Sequence, residues 1–256
     1  MLELNKIYNA DCNLLIKEMD ADSVDLIIID PPYNEVLKND WDQKEELNDK
    51  LIIELFRILK DTGSIYIWCG IGEKSQSLMR WWPMLSKHFF FKDLITWKKQ
   101  RGIGMRKGWL YTREEIMWFV KNNKKFIWNQ NEAYSDVDKY AKIPKGFKMS
   151  NGEYSGQYLK NKDGFKRITN IWTDITEESF NTSDENRINL KHPSVKPLKA
   201  IERIIKSHTQ INDIVFDCFL GSGTTCLAAK NLGRNFIGIE KDLGYFNIAQ
   251  DRIGRR

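Results

Sequence analysis

Four residues in the first part of the chain, Asp30-Pro31-Pro32-Tyr33, combine a carboxylate and a phenol ring around two prolines. They follow the apolar run 24–29, which predicts a fully buried parallel strand. Two consecutive prolines stop a strand and fix the backbone direction at its end. Such a unit can accept hydrogen bonds from an exocyclic amine and stack on a flat ring. A strand end with a proline-rich turn and a capping aspartate fits the tetrapeptide equally well.

A glycine loop near the other end of the chain, residues 219–223, links the predicted strand 213–217 to a predicted helix. Glycines at such a turn let the backbone approach a ligand closely. The loop lacks both the Gly-Lys-Ser/Thr of a Walker A loop and the third glycine of a dinucleotide fingerprint. Glu240 closes the next strand, and an acid at that spacing typically binds ribose hydroxyls. The pattern indicates a nucleoside site without pyrophosphate; a tight turn beside a solvated glutamate is the alternative.

Apolar periodicity predicts an α/β protein around these two stretches. The further predicted strands cover residues 6–8, 64–69, 89–97, 115–120 and 235–240. The first predicted helix begins near residue 11, and the others cover 45–60, 73–87, 198–208, 224–232 and 245–253. Gly63 should end the connection before its strand, and Pro83 should kink or end its helix. Residues 121–190 lack periodicity and alternate lysines with aromatics, which is typical of a functional segment.

Composition narrows the class of protein. The chain has 256 residues, of which 41% are hydrophobic and 29% charged, and its net charge is +5. This length suits one globular domain with an insertion, or two small domains. The charge is too mild to indicate nucleic-acid binding by itself. No window has the apolar length needed to span a bilayer and the N-terminus has no signal-peptide organisation, so we expect a soluble, cytoplasmic protein without a membrane partner.

The cysteines and histidines do not predict a metal site. Cys12, Cys69, Cys218 and Cys226 show no CxxC pair, and the chain has only three histidines. Free cysteines next to strands and helix starts usually serve as small buried hydrophobes. We therefore expect four structural thiols.

Three motifs together resemble those of amino-methylating DNA methyltransferases. They are residues 30–33, the run 219–225, and the turn His192-Pro193-Ser194-Val195-Lys196-Pro197. Their order is similar to the permuted arrangement of the β group of that family. The resemblance implies a Rossmann-like class I fold with a mostly parallel sheet that binds S-adenosylmethionine. It divides one methyltransferase domain into a catalytic half (1–120), an inserted target-recognition segment (121–190) and a cofactor-binding half (191–256).

The resemblance also implies cofactor-binding residues. Asp11 matches the acid that reads the adenine amine of the cofactor, and Glu240 would hold its ribose. Lys196 matches a position near the methionine carboxylate; a solvated turn lysine is the alternative, and His192 is expected to be a turn or packing residue. The other residues expected at the cofactor are Cys12, Asp30, Asp217, Phe219, Gly221, Ser222, Gly223, Thr224 and Thr225.

The implied reaction is direct methyl transfer to an exocyclic amine after the base has flipped out of the duplex. Its catalytic residues would be Asp30, Pro31, Pro32 and Tyr33. The aspartate version of the motif favours adenine N6. Cytosine N4, an RNA adenine substrate, and a non-catalytic nucleic-acid-binding module remain as alternatives. Relatives often carry Thr-His-Glu where this chain has Thr112-Arg113-Glu114, which leaves a base-contacting role of this run open.

Duplex DNA is the implied partner. A basic loop with three glycines before the strand 115–120 is suited to phosphate contacts, and Trp41 would border the flipped base. Analogy with relatives adds a homodimer. A cognate restriction endonuclease is the other expected partner, and an orphan methyltransferase without one is the alternative. The basic residues predicted to contact DNA are Lys98, Lys99, Arg101, Arg106 and Lys107.

Overall fold

The computed structural model describes residues 2–33, 47–72, 75–103, 109–135, 166–177 and 195–254. The strands in these ranges are β1 (Lys6–Asn9), β2 (Val24–Ile29), β3 (Leu59–Cys69), β4 (Phe90–Ile103), β5 (Tyr111–Val120), β6 (Tyr134–Ser135), β7 (Lys166–Arg167), β8 (Ile171–Trp172), β9 (Ile214–Asp217) and β10 (Asn235–Glu240). The α-helices are α1 (Cys12–Leu15), α2 (Asp49–Ile58), α3 (Ser77–Leu85), α4 (Leu198–His208), α5 (Thr224–Asn231) and α6 (Leu243–Gly254).

One mixed sheet organises the described residues, with the strand order β1-β10-β9-β2-β3-β5-β4-β8. The pairs from β1 through β3 are parallel, whereas β5 runs antiparallel to both β3 and β4. The parallel strands end at one common edge. Ligands of open α/β sheets bind just beyond such an edge, so it is where a site is expected.

The pairing of β2 with β9 joins the two halves of the chain. Ile27 lies beside Phe216 in parallel register. Because the two strands run in the same direction, Asp30 and the loop 219–223 leave the sheet at the same edge. The two predicted sites are therefore neighbours, although about 190 residues separate them in the sequence.

Side chains of β2 alternate between two cores. Ile27 and Ile29 belong to the cluster that contains α2 and α3, and Leu26 and Ile28 belong to the cluster that contains α4, α5 and α6. All six residues of β2 are buried, which confirms the predicted buried parallel strand. Each of its apolar side chains contributes roughly 1.5–3 kcal/mol relative to leaving it exposed.

Two connections differ from the sequence prediction. Helix α2 ends at Ile58, and Leu59 already pairs with Val24, so Gly63 lies inside β3 instead of ending the connection. The reason is local: Lys60 is held by the buried Asp25 at 2.7 Å, which aligns the chain with β2. Helix α3 is shorter than predicted and ends two residues after Pro83.

The hairpin of β4 and β5 is longer than its apolar core suggested. Trp97 pairs with Glu114 and Lys98 with Arg113, so ladder bonds extend both strands into polar sequence. Lys98, Lys99 and Arg101 therefore lie in a strand, and their assignment to a loop is wrong.

Part of the segment 121–190 also belongs to the sheet. β8 pairs with β4, and Trp172 and Ile175 are buried in the core. The prediction that this segment has no clear elements is therefore wrong at residues 171–172, and the two-residue strands β6 and β7 also contradict it. All four cysteines are buried free thiols, as predicted. None of the helices in the described ranges is long and apolar enough to cross a membrane.

Candidate active site

Asp30 is fixed at the end of β2 by two partners. Its Oδ1 accepts a hydrogen bond from the Tyr33 hydroxyl at 3.0 Å, and its Oδ2 lies 2.8 Å from Lys196 Nζ. The Tyr33 ring meets Trp81 edge-on, and Arg80 donates to the Tyr33 carbonyl at 2.9 Å. The tetrapeptide is thus held by side chains from two other parts of the chain, α3 and the turn at Lys196, which a simple capping turn would not require.

Lys196 is a buried cation that bridges two carboxylates. Its Nζ contacts Asp30 Oδ2 and lies 3.2 Å from Glu114 Oε2, and Lys99 pairs with the other oxygen of Glu114. Only 8% of the Lys196 side chain is exposed, so the interpretation as a solvated turn lysine is wrong. Sequence reasoning did not include Glu114 in the site. Its position in the Thr-Arg-Glu run was the available signal.

The electrostatics of this cluster follow from burial and pairing. Burial raises the pKa of Asp30, and the nearby Lys196 offsets only part of that effect. Burial alone would raise the pKa of Glu114, but Lys196 and Lys99 outweigh it and lower that pKa. Burial alone would lower the pKa of Lys196, but Asp30 and Glu114 raise it above its ordinary value. The lysine is therefore a permanent positive charge between two carboxylates.

Two carboxyl groups, the buried Asp217 and the half-buried Glu240, lie on the other side of the edge. Glu240 accepts hydrogen bonds from the amides of Gly221 at 2.7 Å and Asp242 at 2.9 Å, and burial raises its pKa to about 7. Asp217 accepts from the Phe219 amide at 2.9 Å, and burial likewise raises its pKa to about 7. Both groups gain or lose a proton near neutral pH, where they could accept or donate hydrogen bonds to a nucleoside.

The glycine loop adopts a conformation that favours glycine. Gly221 and Gly223 have φ angles of 54° and 84°. A Cβ at Gly223 would lie 3.0 Å from the Cβ of Ala249, so the loop also packs tightly on α6. Glycines are needed here for backbone reasons, and they leave the outer side of the loop uncovered by side chains of their own.

Side chains behind the loop hold it in place. Arg252, which is buried, donates from Nη1 to Thr224 Oγ1 at 2.7 Å and to the Ser222 carbonyl at 3.3 Å. The Thr225 hydroxyl bonds to Asp217. These contacts give the three hydroxyl residues a role in supporting the loop, and their contact with a cofactor stays a prediction. Nothing in the sequence near Arg252 indicated this role.

Asp11 and Cys12 lie at the end of β1, beside the end of β10. Asp11 caps α1 by accepting from the Asn13 amide at 3.0 Å, and its other oxygen lies 3.0 Å from Lys241 Nζ. Cys12 is buried and close to Cys218, with which it forms a hydrogen bond. Asn9 pairs with Glu240, which brings Asp11 to the same edge as the glycine loop.

The predicted DNA contacts are placed only in part. Lys98 is exposed on β4, whereas Lys99 is half-buried against Glu114 and already has a carboxylate partner. Residues 34–46, 104–108 and 191–194 are outside the described ranges, and with them the predictions for Trp41, Arg106, Lys107 and His192.

Comparison with known proteins decides the family. A family model with the description DNA methylase (N6_N4_Mtase) matches residues 24–251. The chain belongs to this DNA methylase family. The protein is 32% identical to the Type II methyltransferase M1.MboII of Moraxella bovis, over 97% of this chain and 96% of the relative. It is 34% identical to the Type II methyltransferase M.BglII of Bacillus subtilis, over 96% of this chain and 68% of the relative.

Solved structures of DNA methyltransferases share the fold of this methylase. The crystal structure of an M1.HpyAVI–SAM complex superposes with a TM-score of 0.61 at 28% identity, covering 96% of this chain and 98% of that one. The cytosine-N4-specific PvuII DNA methyltransferase reaches a TM-score of 0.68 at 17% identity, covering 96% and 85%. The predicted Rossmann-like methyltransferase fold is therefore confirmed.

Proposed function

We propose that this protein transfers a methyl group from S-adenosylmethionine to the exocyclic N6 amine of adenine in duplex DNA, as a member of the permuted β group. One observation carries the proposal. The carboxylate of Asp30 and the ring of Tyr33 stand at the end of β2, directly beside the glycine loop at the end of β9. An amine held by the first group and a methyl donor held by the second would meet across this edge.

The residues at the edge fit the cofactor. S-adenosylmethionine carries a ribose, an adenine and a methyl group on a positively charged sulfur, and its carbon–sulfur bond breaks with the electron pair going to sulfur. The half-buried Glu240 carboxylate suits the ribose hydroxyls, and Asp11 suits the adenine amine. Gly221 and Gly223 leave room for close backbone approach.

Asp30 and the Pro31 carbonyl prepare the target amine for attack. The lone pair of an exocyclic amine is delocalised into the ring, which makes it a poor nucleophile. Hydrogen bonds from the amine to these two oxygens pull the nitrogen toward tetrahedral geometry and free its lone pair. The nitrogen then bonds to the methyl carbon, and its extra proton passes to the Asp30 carboxylate and on to solvent. Positioning and preorganised charge carry most of the effect.

Tyr33 holds the flipped base. The target atom is inside a duplex, so the base must leave the stack before it can react. Stacking of a base on an aromatic ring contributes roughly 1–3 kcal/mol. No covalent intermediate is required, in keeping with the burial of all four cysteines.

Duplex DNA would be held by the long hairpin and by the segment 121–190, which we propose as the target-recognition region. Lys98 on β4 is exposed for phosphate contact. The relatives named above are Type II methyltransferases. This supports a cognate restriction endonuclease as a partner, and a homodimer is proposed by the same analogy.

The test is to identify the product. Unmethylated duplex DNA is incubated with the protein and labelled S-adenosylmethionine, digested to nucleosides and separated by mass spectrometry. We expect N6-methyldeoxyadenosine, and single-molecule sequencing of the same DNA gives the recognition site. N4-methyldeoxycytidine as the sole product would overturn the assignment of the base. Methylation of RNA but not DNA would overturn the proposal that DNA is the substrate. Cofactor binding without any methylated product would favour a non-catalytic binding module.

A further inference from the structure

Glu114 is a buried carboxylate at the site that the reaction described above does not use. It lies on β5, 3.2 Å from Lys196 Nζ through Oε2, and pairs with Lys99 through Oε1. Its side chain is 12% exposed, compared with 25% for Asp30. Asp30 is thus the carboxylate nearer the open edge, and Glu114 stands behind it on the far side of the same lysine.

The four charged groups balance one another. Asp30 and Glu114 carry two negative charges, and Lys196 and Lys99 carry two positive charges. A buried charge that loses its partner is strongly unfavourable, so each member depends on the others. An ammonium group has three N–H donors, which lets Lys196 serve both carboxylates at once.

Each carboxylate oxygen of Asp30 already has one partner, so an incoming amine must share an oxygen with one of them. Oδ1 accepts from Tyr33 and Oδ2 accepts from Lys196, and an incoming amine needs one of these oxygens. If Asp30 were the sole partner of Lys196, the full charge of the lysine would weaken Oδ2 as an acceptor. A second carboxylate gives Lys196 another place to donate.

We propose that Glu114 is a positioning residue for methyl transfer, because it shares Lys196 with Asp30 and so keeps an Asp30 oxygen available to the target amine. The inference rests on the proposed function of this site. In the step itself, the amine lone pair forms the nitrogen–carbon bond, the carbon–sulfur bond breaks with its pair going to sulfur, and one amine proton goes to Asp30. Glu114 and Lys196 keep their protonation states throughout.

The pH dependence of the step distinguishes this role from simple packing. The charge of Glu114 favours the protonated form of Asp30, so its removal should let Asp30 ionise at lower pH. Loss of Lys99 should act in the opposite direction, since Glu114 would then draw Lys196 away from Asp30. The groups that face Asp30 from its own turn and from neighbouring elements are Tyr33, Cys69, Glu114, Lys196 and Asp217.

The experiment measures single-turnover methyl transfer by the full chain with saturating cofactor and duplex DNA, between about pH 5 and pH 8. For Glu114→Gln we expect the plateau rate to fall by about ten- to hundredfold and the acid limb to move to lower pH. Cofactor affinity, measured by calorimetry, should stay within about twofold because Glu114 is not among the cofactor-binding residues. For Lys99→Gln we expect the acid limb to move to higher pH.

Glu115 offers a matched control. It is the next residue on β5 and is also buried, but its carboxylate accepts from Thr96 Oγ1 at 2.7 Å and pairs with Arg113 instead of Lys196. Glu115→Gln removes the same charge from the same strand, and we expect it to retain the wild-type acid limb and plateau.

Several outcomes would overturn the inference. Glu114→Gln with a wild-type rate and acid limb would do so, as would equal losses in Glu114→Gln and Glu115→Gln with no shift in either limb. If Glu114→Gln does not fold, Lys99→Gln and the charge-retaining Glu114→Asp decide: an unmoved limb in the first, or no activity in the second, refutes the role. Failure of the proposed function is distinct, because the wild-type protein would then methylate nothing.

Discussion

The protonation state of Glu240 changes near neutral pH. Its carboxyl group is largely buried and receives two backbone amides, and its pKa is about 7. The ionised form is the better acceptor for ribose hydroxyls. We therefore expect cofactor affinity to rise between about pH 6 and pH 8, by up to about tenfold, as this group loses its proton.

Calorimetric titration with S-adenosylmethionine across this range checks the Glu240 prediction. Glu240→Gln should bind more weakly and lose most of the pH dependence. Asp217→Asn is the comparison, because the pKa of Asp217 is also about 7. A Glu240→Gln protein with the wild-type pH slope would assign the effect to Asp217 and contradict the ribose contact.

Substitution of Asp30 should affect the rate of methyl transfer but not the affinity for the cofactor. Since the proposed role of Asp30 is to hold the target amine, Asp30→Ala should lower the rate of methyl transfer by at least about a hundredfold. Its cofactor dissociation constant should stay within about twofold of wild type, as a loss confined to the transition state requires. Single-turnover rates and calorimetry measure the two quantities, with the exposed Asp61→Ala as control. Equal losses of both would refute this division of labour.

At this scale the sequence revealed only residues that belong to a motif. Asp30, Tyr33 and Glu240 could be predicted because each stands at a strand end next to prolines, glycines or an apolar run. Glu114 was signalled only by its place in the Thr-Arg-Glu run, which does not reveal its contact with Lys196, and Arg252 had no signal because its partner is the distant loop at Ser222. Side-chain contacts of this kind leave no local pattern.

At the scale of elements, the turn into α5 depends on one glycine. Gly223 has a φ angle of 84°, and a Cβ there would press on Ala249. Gly223→Ala should lower the free energy of unfolding by about 1–2 kcal/mol from the left-handed backbone alone. Urea denaturation measures the change, and cofactor affinity should fall with it.

Gly254→Ala is the control for the glycine substitution. Gly254 ends α6, and a Cβ at that position would have no heavy atom within 4 Å. The same change of side chain should therefore be nearly neutral there. Equal stability of the two variants would show that the loop tolerates a side chain and that its conformation is not set by glycine.

Helix α4 ends in a buried histidine that ties it to β3. His208 Nδ1 lies 2.8 Å from the Ile127 carbonyl, and Nε2 lies 2.6 Å from the Tyr66 hydroxyl. The neutral ring satisfies both partners by donating from Nδ1 and accepting at Nε2. Burial lowers the pKa of His208 to about 4, from 6.5 in an exposed chain.

The unfolded state therefore binds a proton on His208 before the folded state does. The neutral His208 ring therefore stabilises the folded state fully above about pH 6.5. This contribution to the free energy of unfolding, up to roughly 3 kcal/mol, is lost as the pH falls toward about 4. Urea denaturation of wild type and His208→Phe at several pH values checks this. The stability difference between them should shrink on acidification, and a difference that does not depend on pH would contradict a neutral buried ring.

The spacing of apolar residues predicted the bounds of β1, β2, β9, β10 and the helices α4 to α6 to within a few residues. It failed for the outer hairpin and for β8. The pairs Lys98–Arg113 and Trp97–Glu114 extend a ladder through polar sequence, where hydrogen bonding to the neighbouring strand decides the structure. A two-residue strand such as β8 carries no detectable period of its own.

At the scale of the whole molecule, DNA binding should depend strongly on salt. The chain carries a net charge of +5, and cations that neutralise phosphates release counterions from DNA. The logarithm of the affinity should fall linearly with the logarithm of the salt concentration. Lys98→Ala should make this slope shallower by about 1, because it removes one phosphate contact.

Fluorescence anisotropy with a duplex that contains the recognition site measures the slope. Lys87→Ala is the control, since Lys87 is exposed, pairs with Asp49 and is not part of the β4–β5 hairpin. An affinity that does not change with salt would contradict phosphate binding, and equal slopes for Lys98→Ala and wild type would remove Lys98 from the DNA surface.

The order of strands also determines at which stage of synthesis the sheet can be completed. β9 and β10 lie between β1 and β2, so the last strands of the chain are inserted between the first two. A nascent chain that has not yet released residue 240 from the ribosome already has the tetrapeptide 30–33 but lacks the folded strands that carry the glycine loop to its side. Residues 214–240 must therefore be synthesised before the sheet can be completed, and β1 and β2 must wait for β9 and β10.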